Sequence, residues 1–411
     1  MRILVLNSGS SSQKSRLYEL AAAPPDLPPP PLWEATIEWD GGAAELAVRT
    51  ARGAPVRERV NVGTRGRRGR AIERMLASLW VGSARVVASP AEIDVVGHRV
   101  VHGGDQFQEP VAVTPAVKAA IARFAMFAPL HNRAELDGMD TVERLLGSVL
   151  QVAVFDTAFH RHLPQSAAVY PGPYEWLARG IRRYGFHGIN HEACAHHAAQ
   201  LLGRELRSLR LVTCHLGNGC SLAAIRDGHS IDTTMGFTPL DGLMMGTRSG
   251  AIDPGILTYL LQQGKVTPRR LDELLNTRSG LLGISGVSGD MREILAAGRA
   301  GHARAQLAFD MFVHRLQSSI GAMAAVLGGL DALVFTAGIG EHSPEVRAAA
   351  CANLGFLGLE LDAEKNAYSP SNEDISRAGA RARVLIVRAE EDWAITRACW
   401  RVAAGRTAAG T

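Results

Sequence analysis

Lysine is nearly missing from this chain: of 44 basic residues only Lys14, Lys118, Lys265 and Lys365 are lysines. A compact ammonium on a flexible stem does a different job from a guanidinium fork, so a lysine in the opening stretch stands out. Long blocks of one charge are missing too. The formal net charge is +4 over 411 residues, and no basic run carries interleaved aromatics, which argues against nucleic acid as a partner. The densest basic patch, Arg65 to Arg70, reads as a solvated loop entering the helical pattern "AIERMLASLW". The five cysteines form no CxxC pair, a dispersed, odd set that suggests reduced thiols and a cytoplasmic location. No apolar run reaches the roughly 18 residues of a membrane span. The start shows no basic segment followed by an apolar one, so no secretory signal is expected. The GxxxxGK[ST] pattern is also absent, which excludes a P-loop.

The residues present describe a globular α/β protein. Hydrophobic content of 46% and charged content of 20% are ordinary, and the length suits two domains. "MRILVLNSGSSSQKSRLYEL" has the pattern of a β-hairpin: an apolar strand, a Gly/Ser turn and an alternating second strand. "AAAPPDLPPPP" is a stiff proline-rich surface loop. Strands resume at "IDVVGHRVVHGG" and "VLQVAVFDTAFH", separated by a helical stretch over 115–147. From about residue 160 the order repeats, with "LRLVTCHLGNGCSLAAIRDG" again strand, glycine turn, strand. Asn7-x-Gly9 and His215-x-Gly217 fall at equivalent places, and such turns present backbone N–H groups to anions. Residues 290–327 form a long helical pattern with Asp290 as N-cap, and "ALVFTAGIGEHSPEVRAAA" gives a strand, a GIG turn and a helix entered through Ser343-Pro344. Three glycine turns without a Walker motif point to a nucleotide held between two domains.

Polar residues gather where apolar strands end: Arg99 and His102, His131, Asp156, His187, Arg248 and Glu390. In open α/β folds those ends line the ligand crevice. "HEACAHHAAQLL" fails the HExxH test, because Ala195 stands where the second ligand would be, and reads as an ordinary helix. Two arginines, histidines and oxygen ligands suited to Mg²⁺ match the needs of phosphoryl transfer.

Nine motifs, "LNSGSSSQK", "GHRVVHGG", "PLHN", "VFDTAFH", "YGFHG", "HLGNG", "MGTRSG", "SGVSGDMRE" and "FTAGIGEHS", occur in the order and spacing of the acetate kinase family. The chain resembles that family from about residue 2 to residue 400. The resemblance implies a duplicated actin-like ATPase fold of the ribonuclease H type, with a nucleotide cleft between two domains. The expected domains are 1–158, with 389–411 packing back on it, as the acetate and metal side, and 159–388 as the nucleotide-binding side. It implies reversible, Mg²⁺-dependent in-line transfer of a phosphoryl group from ATP to acetate, with Mn²⁺ as an alternative metal, in a cytoplasmic homodimer. By motif, Arg99 and Arg248 would hold acetate and the phosphoryl group in flight. His187 would bind the transferring phosphoryl, and Asp156 would be the active-site acid. Val101, Leu130, His131, Phe186 and Pro239 would line or support the acetate pocket. Asn7 and Glu390 would bind the metal, with Ser10, Ser12 and Lys14 on the nucleotide phosphate side. His215, Leu216, Gly217, Asn218 and Gly219 would line the phosphate path. Asp290, Met291, Arg292, Gly338, Ile339, Gly340, Glu341 and His342 would hold the adenosine.

Acetate is already ionised at neutral pH, so Asp156 is not needed as a base and is expected to orient an arginine or a metal-bound water. The sequence departs from the family at Ser15-Arg16 after Lys14, at His342, at "RAEE" around Glu390, and at Ile189-Asn190. Arg16 could therefore share the role of Lys14. Two rival readings remain at this point. One is a propionate or butyrate kinase of the same family; the other is a non-catalytic actin-type ATP clamp, which would have no use for Arg99, Arg248 and an apolar carboxylate pocket.

Overall fold

The computed structural model describes residues 1–9, 12–40, 43–51, 53–61, 67–125, 129–368 and 370–409, without the side chains of residues 40, 61, 67, 129–131 and 407–409. The chain divides into two compact units, Met1–Ala158 with Glu390–Thr411, and Phe159–Ala389.

The first unit is built on β1 (Arg2–Ser8), β2 (Ser12–Glu19), β3 (Trp33–Asp40), β4 (Ala43–Thr50), β5 (Val56–Asn61), β6 (Val95–Val100), β7 (Val111–Ala112) and β8 (Leu150–Phe155). They form one sheet in the order β5-β4-β3-β2-β1-β6-β8-β7. The run Ile3 to Leu6 is wholly buried, which suits a central strand covered on both faces, and β1 pairs parallel with β6. On β2 the alternation turns Gln13, Ser15 and Leu17 inward and leaves Lys14 exposed. The C-terminal helix Glu391–Ala409 covers the sheet over β1 and β6. Gly97 of β6 permits that approach, since a Cβ there would lie 2.5 Å from Cys399 Sγ and 2.7 Å from Ile395.

The second unit carries β9 (Leu211–Leu216), β10 (Cys220–Arg226), β11 (His229–Thr233), β12 (Ala332–Thr336), β13 (Glu373–Asp374) and β14 (Arg383–Ile386), in the order β11-β10-β9-β12-β14-β13. Both units therefore share one plan. A three-strand antiparallel meander (β3-β2-β1, β11-β10-β9) continues from its first strand into two parallel strands (β6-β8, β12-β14). The duplication expected from the two hairpins is present in the sheet order itself.

Several local expectations change. Residues 33–61 form three antiparallel strands that the sequence reading passed over; the alternation Trp33, Ala35, Ile37 with polar partners carries them. The helical stretch 290–327 is two helices, Met291–Arg299 and Ala303–Leu327. Gly301 takes φ 87° between them, and His302 Nδ1 accepts from the Ala305 N–H. The GIG segment is a short helix, Ala337–His342, and Ser343 caps the next helix as expected. His187 does not end a strand. It caps the helix Gly188–Leu202 at φ 56°, a left-handed backbone that non-glycine residues rarely adopt.

Candidate functional sites of the two units

In the first unit the site is an ionic network. Arg99, near the end of β6, donates from Nε and Nη2 to one oxygen of Asp156, at 3.0 and 2.6 Å. Its Nη1 donates to Asn7 Oδ1 at 3.1 Å and lies 3.3 Å from Glu391 Oε2. Asn7 Nδ2 in turn donates to Glu391 and Asp392, both at 2.9 Å. Asn7 and Asp156 are buried, so the guanidinium is held from two strands and the start of the C-terminal helix. Burial works against the Arg99 cation, yet Asp156 and Glu391 outweigh it and raise its pKa above the ordinary value. Asp156 is thus paired with Arg99 through one carboxylate oxygen. Acidic side chains in the first turn of the C-terminal helix also meet its positive end favourably.

Behind this network stands Glu135, which sequence reasoning missed. It is fully buried, and its Oε1 accepts from the Val101 N–H at 3.0 Å. Burial pushes its pKa up to about 8, against the Val101 N–H and Arg99, with Asp156 adding to the rise. Val101, an acetate-pocket candidate, is buried beside it. On the next strand face, Arg16 lies 3.5 Å from Asp392. Burial raises the Asp392 pKa, while Arg16, the Asn7 amide and Lys14 pull it down. Arg16 therefore pairs with this acid. Ser12 is half-buried and Glu390 directly precedes the C-terminal helix. Ser10 and the side chains of Leu130 and His131 lie outside the described residues.

In the second unit the site is a network of imidazoles, hydroxyls and amides. His187 and His215 stack, with ring centroids 4.0 Å apart and planes 14° from parallel. His187 Nδ1 hydrogen-bonds Ser221 Oγ at 2.9 Å, and the same hydroxyl bonds His191 Nε2 at 2.8 Å. His191 reaches Thr213 at 2.7 Å on its other side. Burial, with His160 and His215 nearby, holds the His191 pKa well below its ordinary value, so this ring stays neutral. Gly185 makes the turn into His187 possible. Its φ is 75°, and a Cβ there would stand 2.6 Å from the His160 ring. His160 hydrogen-bonds the Phe186 carbonyl at 3.0 Å from behind, and Phe186 is buried.

The glycine turn between β9 and β10 borders this pair. A Cβ at Gly219 would meet His187 at 3.4 Å and Arg248 Nη1 at 3.5 Å, so backbone, imidazole and guanidinium converge on one place. Arg248 also donates to the Pro239 carbonyl at 3.2 Å. Leu216 is buried, Gly217 N donates to the Gly219 carbonyl at 3.1 Å, and the Asn218 carbonyl accepts from Gly246 N at 3.1 Å. Gly289 packs on Gly246, which brings the Asp290 cap next to the turn. Asp290 accepts from the Arg292 N–H at 2.8 Å and pairs with its exposed guanidinium, while Met291 points inward. The short helix of Gly338, Ile339, Gly340, Glu341 and His342 abuts β9, with Gly340 and Glu341 buried and Gly338 and His342 exposed. Glu341 Oε1 accepts from the Ala389 N–H at 2.9 Å. Buried Arg347 donates to the Gly340 and Glu341 carbonyls at 2.8 and 2.9 Å, and burial lowers its pKa to about 10.

Ser221, Asn190, Arg347, Glu391 and Asp392 were not singled out by chemistry in the sequence. Ser221 alone had a signal, being the β10 residue directly opposite His215 in the hairpin.

Comparison with known proteins gives consistent results. The Acetokinase family profile matches residues 2–397. A curated acetate kinase of Cyanothece sp. is 56% identical over 404 residues, 98% of each chain. The crystal structure of Porphyromonas gingivalis acetate kinase superposes with a TM-score of 0.88 at 38% identity, covering 98% of this chain and 99% of that one. A propionate kinase from Francisella tularensis superposes at 0.87 with 34% identity and the same coverage.

Proposed function

The chain belongs to the acetokinase family, and from that premise we propose how its two networks divide the transfer of a phosphoryl group from ATP to acetate. The fold is the duplicated actin-like ATPase arrangement, and the protein is a phosphotransferase with a carboxyl group as acceptor.

Acetate arrives as its anion and needs no general base. The difficulty is bringing one anion onto the phosphate of another, so positive groups and directed donors must be in place before reaction. Arg99, held from two sides, offers a fixed guanidinium to the acetate carboxylate, and Asp156 keeps it aimed. By the family's pattern Val101, Leu130, Phe186 and Pro239 are the apolar positions for the methyl group, with His131 in a supporting role. His187 and Arg248 donate to the oxygens of the phosphoryl in flight. The His215–Gly219 turn, Ser10, Ser12 and Lys14 hold the remaining phosphates. Asp290–Arg292 and Gly338–His342 hold the adenosine. The transfer runs in line, and the single observation that supports it is the convergence of His187, Arg248 and the Gly219 backbone.

Mg²⁺ fits the first unit chemically. The donors there are hard oxygens, Asn7 Oδ1 and the Glu390 carboxylate. Among the described residues no three acidic, His or Cys side chains form a metal cage; a cation shared with substrate phosphates uses one or two protein oxygens and needs no cage. When bound, the ion neutralises phosphate charge. Propionate remains a slower alternative substrate, since one methylene is worth only about 1–3 kcal/mol; the likeness to a propionate kinase supports testing it.

We place the protein in the cytoplasm as a homodimer. Five buried free cysteines support the first. Among the described residues no helix is long and apolar enough to cross a membrane. The helix Pro254–Gln262, which buries none of its residues and exposes Ile256 and Tyr259, supports the second. ATP, Mg²⁺, acetate and hydroxylamine should give acetyl hydroxamate, with acetate preferred to propionate and butyrate. A protein that binds ATP but forms none would be a clamp and not a kinase.

A further inference from the structure

Asn190 is wholly buried in the first turn of the helix Gly188–Leu202, at a position where this sequence departs from the family motif. Its amide is used at both ends. Nδ2 donates to His215 Nδ1 at 2.8 Å and to Thr336 Oγ1 at 3.4 Å, and Oδ1 lies 3.5 Å from the Cys194 thiol. A primary amide nitrogen has only hydrogens to offer, so the ring nitrogen facing it accepts, and the ring proton sits on the other nitrogen. That other nitrogen, Nε2, faces the glycine turn: a Cβ at Gly217 would lie 3.8 Å from it.

The geometry points to Asn190 as a positioning residue that fixes His215 in its neutral Nε2–H tautomer, so that the ring donates toward the phosphate turn. This rests on the proposed phosphoryl-transfer role of that turn. The stack strengthens the reason for neutrality. His187 lies 4.0 Å away, ring over ring, and two imidazolium rings at that spacing would repel strongly. Among the described residues the other titratable and charged groups around His215 include His191, 6.2 Å away by ring centroid, neighbouring Cys214 on its own strand, Arg248 beside His187, and Glu341 and His342 on the short helix that abuts β9. His191 and Cys214 are held neutral by burial, the Arg248 guanidinium is positive, and the Glu341 carboxylate is engaged by the Ala389 N–H. An amide donor at Nδ1 gives a second proton on His215 no acceptor there. A hydroxyl could donate or accept and would leave the tautomer open; a carboxylate would reverse it.

The test uses full-length protein with ¹⁵N-labelled histidine rings, the His215 signals being assigned by their loss in His215→Gln. Wild type should show Nδ1 unprotonated and Nε2 protonated. Asn190→Asp should move the proton to Nδ1 and lower kcat/KM for MgATP at least 10-fold, with acetate KM within about 2-fold. Asn190→Ser should fall between the two. An Nδ1–H tautomer in wild type overturns the inference, as does full MgATP activity in Asn190→Asp. If Asn190→Asp does not fold, the wild-type spectrum alone decides. A wild-type protein with no kinase activity fails the functional reading instead, a result the tautomer measurement does not share.

Discussion

The two units share a strand order but solve opposite electrostatic problems. At the end of β1, the first unit uses formal charge: Arg99 meets Asp156, Glu391 and, through Asn7, Asp392. At the end of β9, the matching place in the second unit, the partners are imidazoles, a hydroxyl and an amide, with the Arg248 guanidinium at the edge. A small carboxylate acceptor is best gripped by an arginine braced with acids, which fix its direction. A polyphosphate donor is best met by many modest donors, since each phosphate oxygen needs a hydrogen and not a balancing carboxylate. One backbone plan, duplicated, thus carries two different sets of side chains at one strand end.

Several substitutions can break or sharpen this contrast. The largest effect should come from Asp156→Asn, which removes the charge that aims Arg99. Steady-state turnover should fall about 100- to 1000-fold, and a rate near wild type would show that Arg99 is held without it. Next is Glu135→Gln, which tests whether the acidic wall of the first unit holds a proton. The folded pKa of about 8 lies well above the unfolded value. The folded state therefore keeps a proton that the unfolded state has lost, and this contribution to stability is full at low pH and disappears as pH rises toward 8. Gln lacks that loss, so the variant should gain about 2 kcal/mol relative to wild type between pH 6 and 8. Chemical denaturation at both pH values checks it; a constant difference would mean that Glu135 is ionised when folded.

Ser221→Ala tests the neutral side. The hydroxyl links His187 to buried His191, and its loss should lower kcat about 10-fold with little effect on thermal stability. An effect of similar size, on substrate preference, is expected from Val101→Ala, which widens the acetate side and should shift the propionate-to-acetate ratio of kcat/KM upward by about 10-fold. An unchanged ratio would place the methyl pocket elsewhere.

Much of this was legible from residues alone, for identifiable reasons. The buried runs of β1 and β9 announce central strands, and the Asn7 and His215 turns align because the hairpins are duplicates. Asp290 and Ser343 read as caps, and both are caps. What stayed hidden depended on side-chain direction. "RAEE" offers two carboxylates in four residues with Asp392 directly beyond, and only the start of the helix decides that Glu391 and Asp392 turn toward Asn7. Glu135 looked like any acid on a helix until burial put it behind Val101. Asn190 looked like a departure from a motif, and its meaning lies in a contact 25 residues along the chain.

The division of labour is tested most directly by Arg99→Ala, measuring the acetate KM beside the dissociation constant for ATP. Acetate KM should rise at least 10-fold while ATP affinity stays within about 3-fold, because the nucleotide relies chiefly on the second unit. An equal loss of both affinities would contradict the split between an ionic acceptor unit and a neutral donor unit.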